Sequence, residues 1–90
     1  MTNIYDIYTI VVRMTPPQCR AAREMLGWTP EDLARAAGVS VFTIRNFETE
    51  RSVPDPDMMT SMQRAFEGAG IQFDPSDDGR SGVNLANRRT

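Results

Sequence analysis

The chain has 90 residues and a formal net charge of −2, and all ten of its basic residues are arginine. A chain of this length forms one domain with a thin hydrophobic core. It has one cysteine and no histidine, which excludes a histidine base and zinc sites built from Cys and His. It also lacks the GxxxxGK[ST] and GxGxxG loops that bind phosphates. We therefore expect no enzyme activity and no metal or other cofactor.

The charge balance also bears on the partners and the location of the protein. Most free-standing nucleic-acid-binding domains are basic, so a slightly acidic chain needs a local arginine cluster to belong to that class. No apolar run is long enough to span a bilayer, and the N-terminus lacks the pattern of a secretory signal. The single Cys19 cannot form an internal disulfide, which fits a reducing compartment. These features predict a cytoplasmic protein without a membrane partner.

Residues 3–12, with the sequence NIYDIYTIVV, are rich in β-branched and aromatic side chains, which favours a β-strand. Two alternatives remain for this segment. The first is a helix with one apolar side, formed by Ile4, Ile7, Tyr8 and Val11. The second is a disordered extension of residues 1–13, placed upstream of a natural start at Met14.

Typical helix-start and helix-stop residues bound the next segment. Thr15 is a candidate N-cap for a first helix, and Pro16 and Pro17 fit its first turn. Gly27 is a candidate left-handed C-cap that ends this helix. Trp28 is then expected to pack between the helices. The apolar residues of this helix recur at helical spacing and are expected to face the core: Cys19, Ala22, Met25 and Leu26.

Two short helices follow, separated by a corner that contains one glycine. Thr29 and Asp32 form a capping-box-like pair around Pro30 at the start of the second helix. Gly38 ends this helix, and Ser40 is the candidate N-cap of the third. Because the gap is short and contains glycine, the two helices must meet at a sharp corner. The residues expected to face the core are Leu33, Ala34, Ala37, Val39, Ile44 and Phe47.

The last part of the chain predicts one more helix and a hairpin. Asp55 and Pro56 are typical of a helix start, and the GAG sequence at 68–70 ends the helix. Its apolar stripe consists of Met59, Met62 and Phe66. The polar run DPSDDGRSG connects two short candidate strands, at 71–73 and 83–85. We divide the chain into an N-terminal extension at 1–13, a helical domain at 14–70, and a C-terminal hairpin and tail at 71–90.

From Gln18 to about Pro54, the chain resembles the XRE (phage repressor/Cro-like) family of helix-turn-helix regulators. The matching segments are AAREMLGWT, EDLARAAGVS and TIRNFE. The segment AGIQF, followed by a glycine-rich loop and GVNL, is similar to the C-terminal part of a bacterial subgroup of this family, in which a strand or hairpin follows the helices. The resemblance implies a mainly α fold, a four-to-five-helix repressor-like domain with short flanking β-strands at the N- and C-termini. It also implies double-stranded DNA as a partner.

The resemblance implies that a recognition helix at 41–49 enters the major groove, while the second helix crosses the phosphate backbone. Arg45 can make two hydrogen bonds to guanine, and Asn46 can make two to adenine. Backbone N–H groups at the starts of the second and third helices would add anion contacts. The implied base-reading residues are Val41, Phe42, Arg45, Asn46 and Thr49. The implied phosphate contacts are Arg20, Arg23, Thr29, Ser40 and Arg51.

Two positions depart from the family pattern. The family often has Gln where this chain has Pro30, and it favours Gly where this chain has Glu50. A non-glycine residue at a left-handed position costs roughly 1 kcal/mol. Glu48 is expected to bond inside the domain, with an arginine of the first helix as its candidate partner. Arg20 and Arg23 suit phosphate contacts, but they equally suit pairing with acids of the domain.

Two functions remain open. The first is a sequence-specific transcriptional regulator that binds a two-fold operator as a homodimer, because one small domain makes too few base contacts for high specificity. Dimer contacts are expected from the N-terminal strand, the hairpin at 71–85, or both. The second is a helix-turn-helix fold used for protein–protein regulation, as an antiactivator or antitoxin. The acidic balance, Pro30, Phe42 and Glu50 favour this second function, since an exposed aromatic residue suits a protein interface.

Overall fold

Four helices and a two-stranded hairpin make up the part of the chain that the structure, a computed structural model, describes. This part comprises residues 14–73 and the backbone of 83–85. The elements are α1 Pro16–Leu26, α2 Pro30–Ala37, α3 Val41–Glu48, α4 Pro56–Gly68, β1 Ile71–Phe73 and β2 Val83–Leu85. The mainly α fold with short C-terminal strands is thereby confirmed, while the strand predicted at 3–12 lies outside the described residues. Within those residues, no helix has the length and apolar character that crossing a bilayer requires.

The helices begin at the residues that the sequence predicts as N-caps. Thr15, Thr29 and Asp55 each accept a hydrogen bond from the first turn of a helix, and each is followed by proline. Ser40 caps α3, where its Oγ accepts the N–H of Phe42 at 3.0 Å. Capping provides partners for backbone N–H groups that have none inside the helix. Local sequence therefore determines where each helix starts.

A left-handed glycine forms the corner between α2 and α3. Gly38 has a φ of 71°, and its N–H donates to the carbonyl oxygen of Ala34 at 2.9 Å. The N–H of Val39 donates to the same oxygen at 3.1 Å. No atom lies within 4 Å of the position of an added Cβ, so glycine is needed for its backbone conformation and not for space. Val39 packs against the core and helps to set the direction of α3.

The core lies between the helices and the first strand, as the apolar spacing predicts. Trp28 stacks on Phe66 with ring centroids 5.8 Å apart, and Phe66 meets Phe73 edge to face at 6.1 Å. Phe66 thus connects the segment before α2 to the hairpin. The fully buried apolar side chains include Cys19, Ala22, Leu33, Ile44, Met62 and Phe66.

The predicted hairpin closes the core. Strand β1 pairs antiparallel with β2, with Ile71 opposite Leu85 and Phe73 opposite Val83. Ile71 and Phe73 are buried, whereas Gln72 between them is exposed. This alternation is that of a strand with one face on the core.

The prediction that Met25 faces the core is wrong. Its side chain is 44% exposed, whereas Cys19 and Ala22 are fully buried and Leu26 packs against the core. At 3.6 residues per turn, Met25 lies about 120° around the helix from Cys19. This angle places it beyond the edge of the buried face of α1.

A Schellman motif ends α3, with a glutamate at the position that favours glycine. The N–H of Arg51 donates to the carbonyl oxygen of Asn46 at 2.7 Å, and the N–H of Glu50 donates to that of Phe47 at 3.0 Å. These two hydrogen bonds define the motif. Glu50 has a φ of 64°. It therefore adopts the left-handed conformation in which a non-glycine residue costs roughly 1 kcal/mol.

We expect Glu50→Gly to raise the free energy of unfolding by about 1 kcal/mol, because glycine adopts a positive φ without this strain. Urea unfolding followed by circular dichroism measures the change. Glu50→Ala is the control, since it removes the same charge but keeps a Cβ. If the two variants have equal stability, position 50 holds no backbone strain.

Candidate nucleic-acid interface

One side of α3 presents the side chains that the resemblance implies as base readers. Phe42, Arg45 and Thr49 follow one another at i, i+3 and i+7 and are exposed, with Phe42 at 72% exposure. Val41 and Asn46 flank this row and are half-buried. We call these five residues the α3 face. The structure brings them together on one side of the helix, while the opposite side is buried in the core.

Arg45 on the α3 face forms an ion pair with a residue of α2. Its Nη2 lies 2.6 Å from Oε2 of Glu31, and the two side chains are 51% and 50% exposed. Glu31 is the second residue of α2, so the pair spans the corner of the motif. An exposed pair contributes only about 0–1 kcal/mol to stability. Its main effect is therefore on the orientation of the Arg45 side chain.

The other polar side chains of the α3 face differ in their hydrogen bonding. The hydroxyl of Thr49 donates to the carbonyl oxygen of Arg45 at 2.7 Å, which leaves its oxygen as an acceptor. The side-chain amide of Asn46 makes no hydrogen bond within the described residues. Asn46 therefore retains both the donor and the acceptor that two bonds to adenine require.

A buried carboxylate joins the end of α3 to α1. Glu48 is 7% exposed, and its Oε1 and Oε2 accept Nη2 and Nε of Arg23 at 2.7 and 2.8 Å. Its Oε2 also accepts the thiol of Cys19 at 3.0 Å, and Arg20 donates to its backbone carbonyl oxygen. The hydrogen bond from Arg23 to Glu48 raises the pKa of Arg23, so the guanidinium stays positively charged. We call these four residues the Glu48 cluster. It confirms the predicted internal bonding of Glu48.

Cys19 has no reactive character in this cluster. Burial, followed by the hydrogen bond to Glu48, raises the pKa of the Cys19 thiol far above its usual value. The side chain is fully buried. Because the thiolate is the reactive form of cysteine, Cys19 acts as a small core residue and a hydrogen-bond donor.

A comparison with known families matches residues 20–68 to a family model described as Helix-turn-helix. The match covers more than half of the chain and includes α2, the glycine corner and α3. The chain belongs to the XRE-like helix-turn-helix family. Members of this family are DNA-binding regulators and are not typically enzymes. A search of curated proteins finds no match to the chain.

The arginines implied as phosphate contacts have different surroundings in this XRE-like domain. Arg51, three residues beyond the end of α3, is exposed, whereas Arg20 is half-buried and donates to Glu48. Arg23 is 14% exposed, and its third nitrogen, Nη1, donates to the carbonyl oxygen of Trp28 at 3.0 Å. The structure thus gives Arg23 the internal pairing that the sequence leaves open. All three guanidinium nitrogens of Arg23 are engaged, which argues against a phosphate contact there.

The two hydroxyl residues implied as phosphate contacts are N-caps. Thr29 Oγ1 accepts the N–H of Asp32 at 3.0 Å, and Ser40 Oγ accepts that of Phe42 at 3.0 Å. An accepting hydroxyl keeps its own proton and can donate it to a phosphate oxygen. Capping and phosphate contact are therefore compatible at both positions.

The start of α2 is a poor anion site, contrary to the expectation from the resemblance. Pro30 has no N–H, and the N–H groups of Asp32 and Leu33 donate to Thr29. The N–H of Glu31 is the one that remains in this turn, beside two carboxylates. The hydrogen bond from the Thr29 N–H lowers the pKa of Asp32, so Asp32 stays negatively charged. Both carboxylates are paired with arginines, Glu31 with Arg45 and Asp32 with Arg35. This end of α2 therefore offers a phosphate one backbone N–H and the Thr29 hydroxyl, and no unpaired positive charge.

Sequence reasoning overlooked Glu31. The signal was an acid in the first turn of one helix and an arginine, Arg45, in the next helix of the same motif. Whether two such side chains meet depends on the angle between the helices, which the packing of the core determines.

Glu48→Ala is expected to lower the free energy of unfolding by about 3 kcal/mol, the lower end of the range for breaking a buried ion pair, since it leaves the partly buried guanidinium of Arg23 without a counter-charge. Chemical denaturation monitored by tryptophan fluorescence measures this loss. Glu24→Ala removes an exposed acid from α1 and should change stability by less than about 0.5 kcal/mol. A loss at Glu48 no larger than that at Glu24 would contradict the structural role of the Glu48 cluster.

Proposed function

We propose that this chain is a sequence-specific transcriptional regulator that binds a DNA operator through the helix at 41–49. The observation that supports this most directly is the α3 face, which combines exposed Arg45 and Thr49 with an Asn46 amide that makes no hydrogen bond within residues 14–73. Arginine and asparagine are the residue types that make paired hydrogen bonds to guanine and adenine edges. Phe42, at 72% exposure, is suited to contact with thymine methyl groups.

Backbone contacts in this proposal come from a small set of residues. Arg51 lies three residues beyond the end of α3 and is exposed, and Arg20 is half-buried nearby on α1. The hydroxyls of Thr29 and Ser40 add hydrogen bonds to phosphate without adding charge. Arg23 has no part in this set because Glu48 and Trp28 hold its guanidinium.

We further propose that the protein acts as a cytoplasmic homodimer. One α3 face offers few base contacts, so two copies on a two-fold operator give the specificity that one copy lacks. The contacts between the copies come from the N-terminal segment at 1–13, the hairpin at 71–85, or both. In this proposal, residues 14–70 bind DNA and the terminal segments form the dimer interface.

A second candidate function is the regulation of another protein, as an antiactivator or antitoxin. Two observations favour it. Phe42 is a large, exposed aromatic side chain, of the type that anchors protein interfaces. Glu31 and Asp32 place two carboxylates in the first turn of α2, which is the part of this helix that would approach the phosphate backbone.

To test the first function, the purified chain is used to select DNA duplexes from a pool of randomised sequence, and its binding to an enriched duplex is measured. We expect fluorescence anisotropy to show binding that weakens steeply with salt, with a log–log slope of about −0.9 for each phosphate neutralised. A titration at stoichiometric concentrations should require two chains per duplex. If no duplex is enriched, or if the affinity does not change with salt, the protein-regulation function is favoured. A titration that ends at one chain per duplex would contradict the proposed dimer.

The double substitution Arg45→Ala with Asn46→Ala tests the α3 face. We expect affinity for the enriched duplex to fall at least tenfold, since each bidentate base contact discriminates by about 1–3 kcal/mol. Arg64→Ala, on the exposed side of α4, removes the same charge and is the control. Equal affinities of the double variant and the control would show that another surface reads the DNA.

A further inference from the structure

Within the described residues, the Glu31 side chain makes no hydrogen bond to its own helix, α2. The neighbouring Asp32 caps the helix by accepting the N–H of Thr29, and it also pairs with Arg35 of the same helix. The Glu31 side chain, in contrast, makes its hydrogen bond to Arg45, across the corner of the motif. At about half exposure for both partners, this pair adds little to the stability of the fold. Stability therefore does not account for the pair.

The position of the pair bears on how Arg45 meets DNA. A guanidinium that moves without restraint on a reading helix finds phosphate oxygens, which strengthen binding to every sequence alike. An adjacent carboxylate cancels the charge that attracts phosphates. Discrimination between sequences requires that Arg45 contact base edges instead.

The hydrogen-bond geometry leaves Arg45 able to read a base. Arginine carries five N–H groups in a planar fork, and the contact with Glu31 is made through Nη2 alone. The remaining N–H groups can still donate to O6 and N7 of guanine. A carboxylate on one edge of the guanidinium also fixes its plane, because charge-assisted hydrogen bonds to arginine are strong and directional.

From these observations we propose that Glu31 is a positioning residue that determines sequence specificity. It orients the guanidinium of Arg45 toward a guanine edge and suppresses its contacts with phosphate. Binding to unrelated DNA becomes weaker as a result, and the ratio between operator and unrelated affinities becomes larger. This inference rests on the proposed DNA-binding function and adds a specificity residue to it.

Glu31→Gln tests the inference, with Glu24→Gln as the matched control. Both substitutions remove one negative charge from an exposed glutamate, but Glu24 lies on α1 and outside the motif. Anisotropy is measured for the enriched duplex and for a scrambled duplex over a salt series. For Glu31→Gln we expect tighter binding to the scrambled duplex. The slope of log affinity against log salt concentration should become steeper by about 0.9, the value for one more neutralised phosphate. The operator-to-scrambled ratio should fall about fivefold or more, at the lower end of what an arginine–guanine pair discriminates.

The same measurements in an Arg45→Gln background separate positioning from a general charge effect. There, Glu31→Gln should leave the operator-to-scrambled ratio unchanged, since its action passes through Arg45. An unchanged ratio in the single variant, or an equal fall in both backgrounds, would overturn the role of Glu31 while DNA binding itself stands. If the wild-type chain enriches no duplex, the proposed function fails and the role of Glu31 fails with it.

Discussion

The geometry of the helix-turn-helix depends on one buried carboxylate. Helix α3 has eight residues, and a helix of that length is not stable by itself in water, so its position comes from its contacts. Ile44 and Phe47 anchor its inner side in the core. Glu48 connects its last turn to α1 through Arg23, and a buried carboxylate is costly unless it has hydrogen-bond partners of this kind. The apolar anchors alone would permit small rotations and shifts of α3, which the directional hydrogen bonds of Glu48 oppose.

Three of the six arginines in residues 14–73 are paired with acids, and the three pairs serve different purposes. Arg23 and Glu48 form a buried structural pair, while Arg35 and Asp32 form an exposed pair within α2. Arg45 pairs with Glu31 across the motif. Residues 14–73 thus lack the broad positive surface from which many DNA-binding domains gain affinity. In the proposed function, recognition depends on a few oriented hydrogen bonds and on the dimerisation of two chains. Such recognition suits a protein that binds most DNA sequences weakly.

Much of the fold is readable from the sequence because the responsible interactions are short in range. A capping side chain and the N–H groups from which it accepts hydrogen bonds lie within about three residues of each other. The start of a helix can therefore be predicted from the sequence at Thr29, Ser40 and Asp55. Gly38 requires only its own φ. Met25 was misassigned because it lies at the border of the apolar stripe, where spacing alone does not decide burial. The pairing of Glu48 with an arginine of the first helix was expected, since a charged residue on the inner side of a helix needs a partner.

The roles of individual arginines were not readable in the same way. Arg20 and Arg23 look alike in the sequence, yet one donates to a backbone carbonyl oxygen and the other is held in a bidentate ion pair. The sequence by itself determined the helix boundaries, the left-handed corner and the apolar stripes, because these follow from backbone conformation and spacing within a few residues. Tertiary structure alone decided which arginines are engaged inside the domain and which remain at its surface. The contacts of Arg45, Arg23 and Arg20 join residues 14, 25 and 28 positions apart, and only the packing of the helices brings such residues within hydrogen-bonding distance.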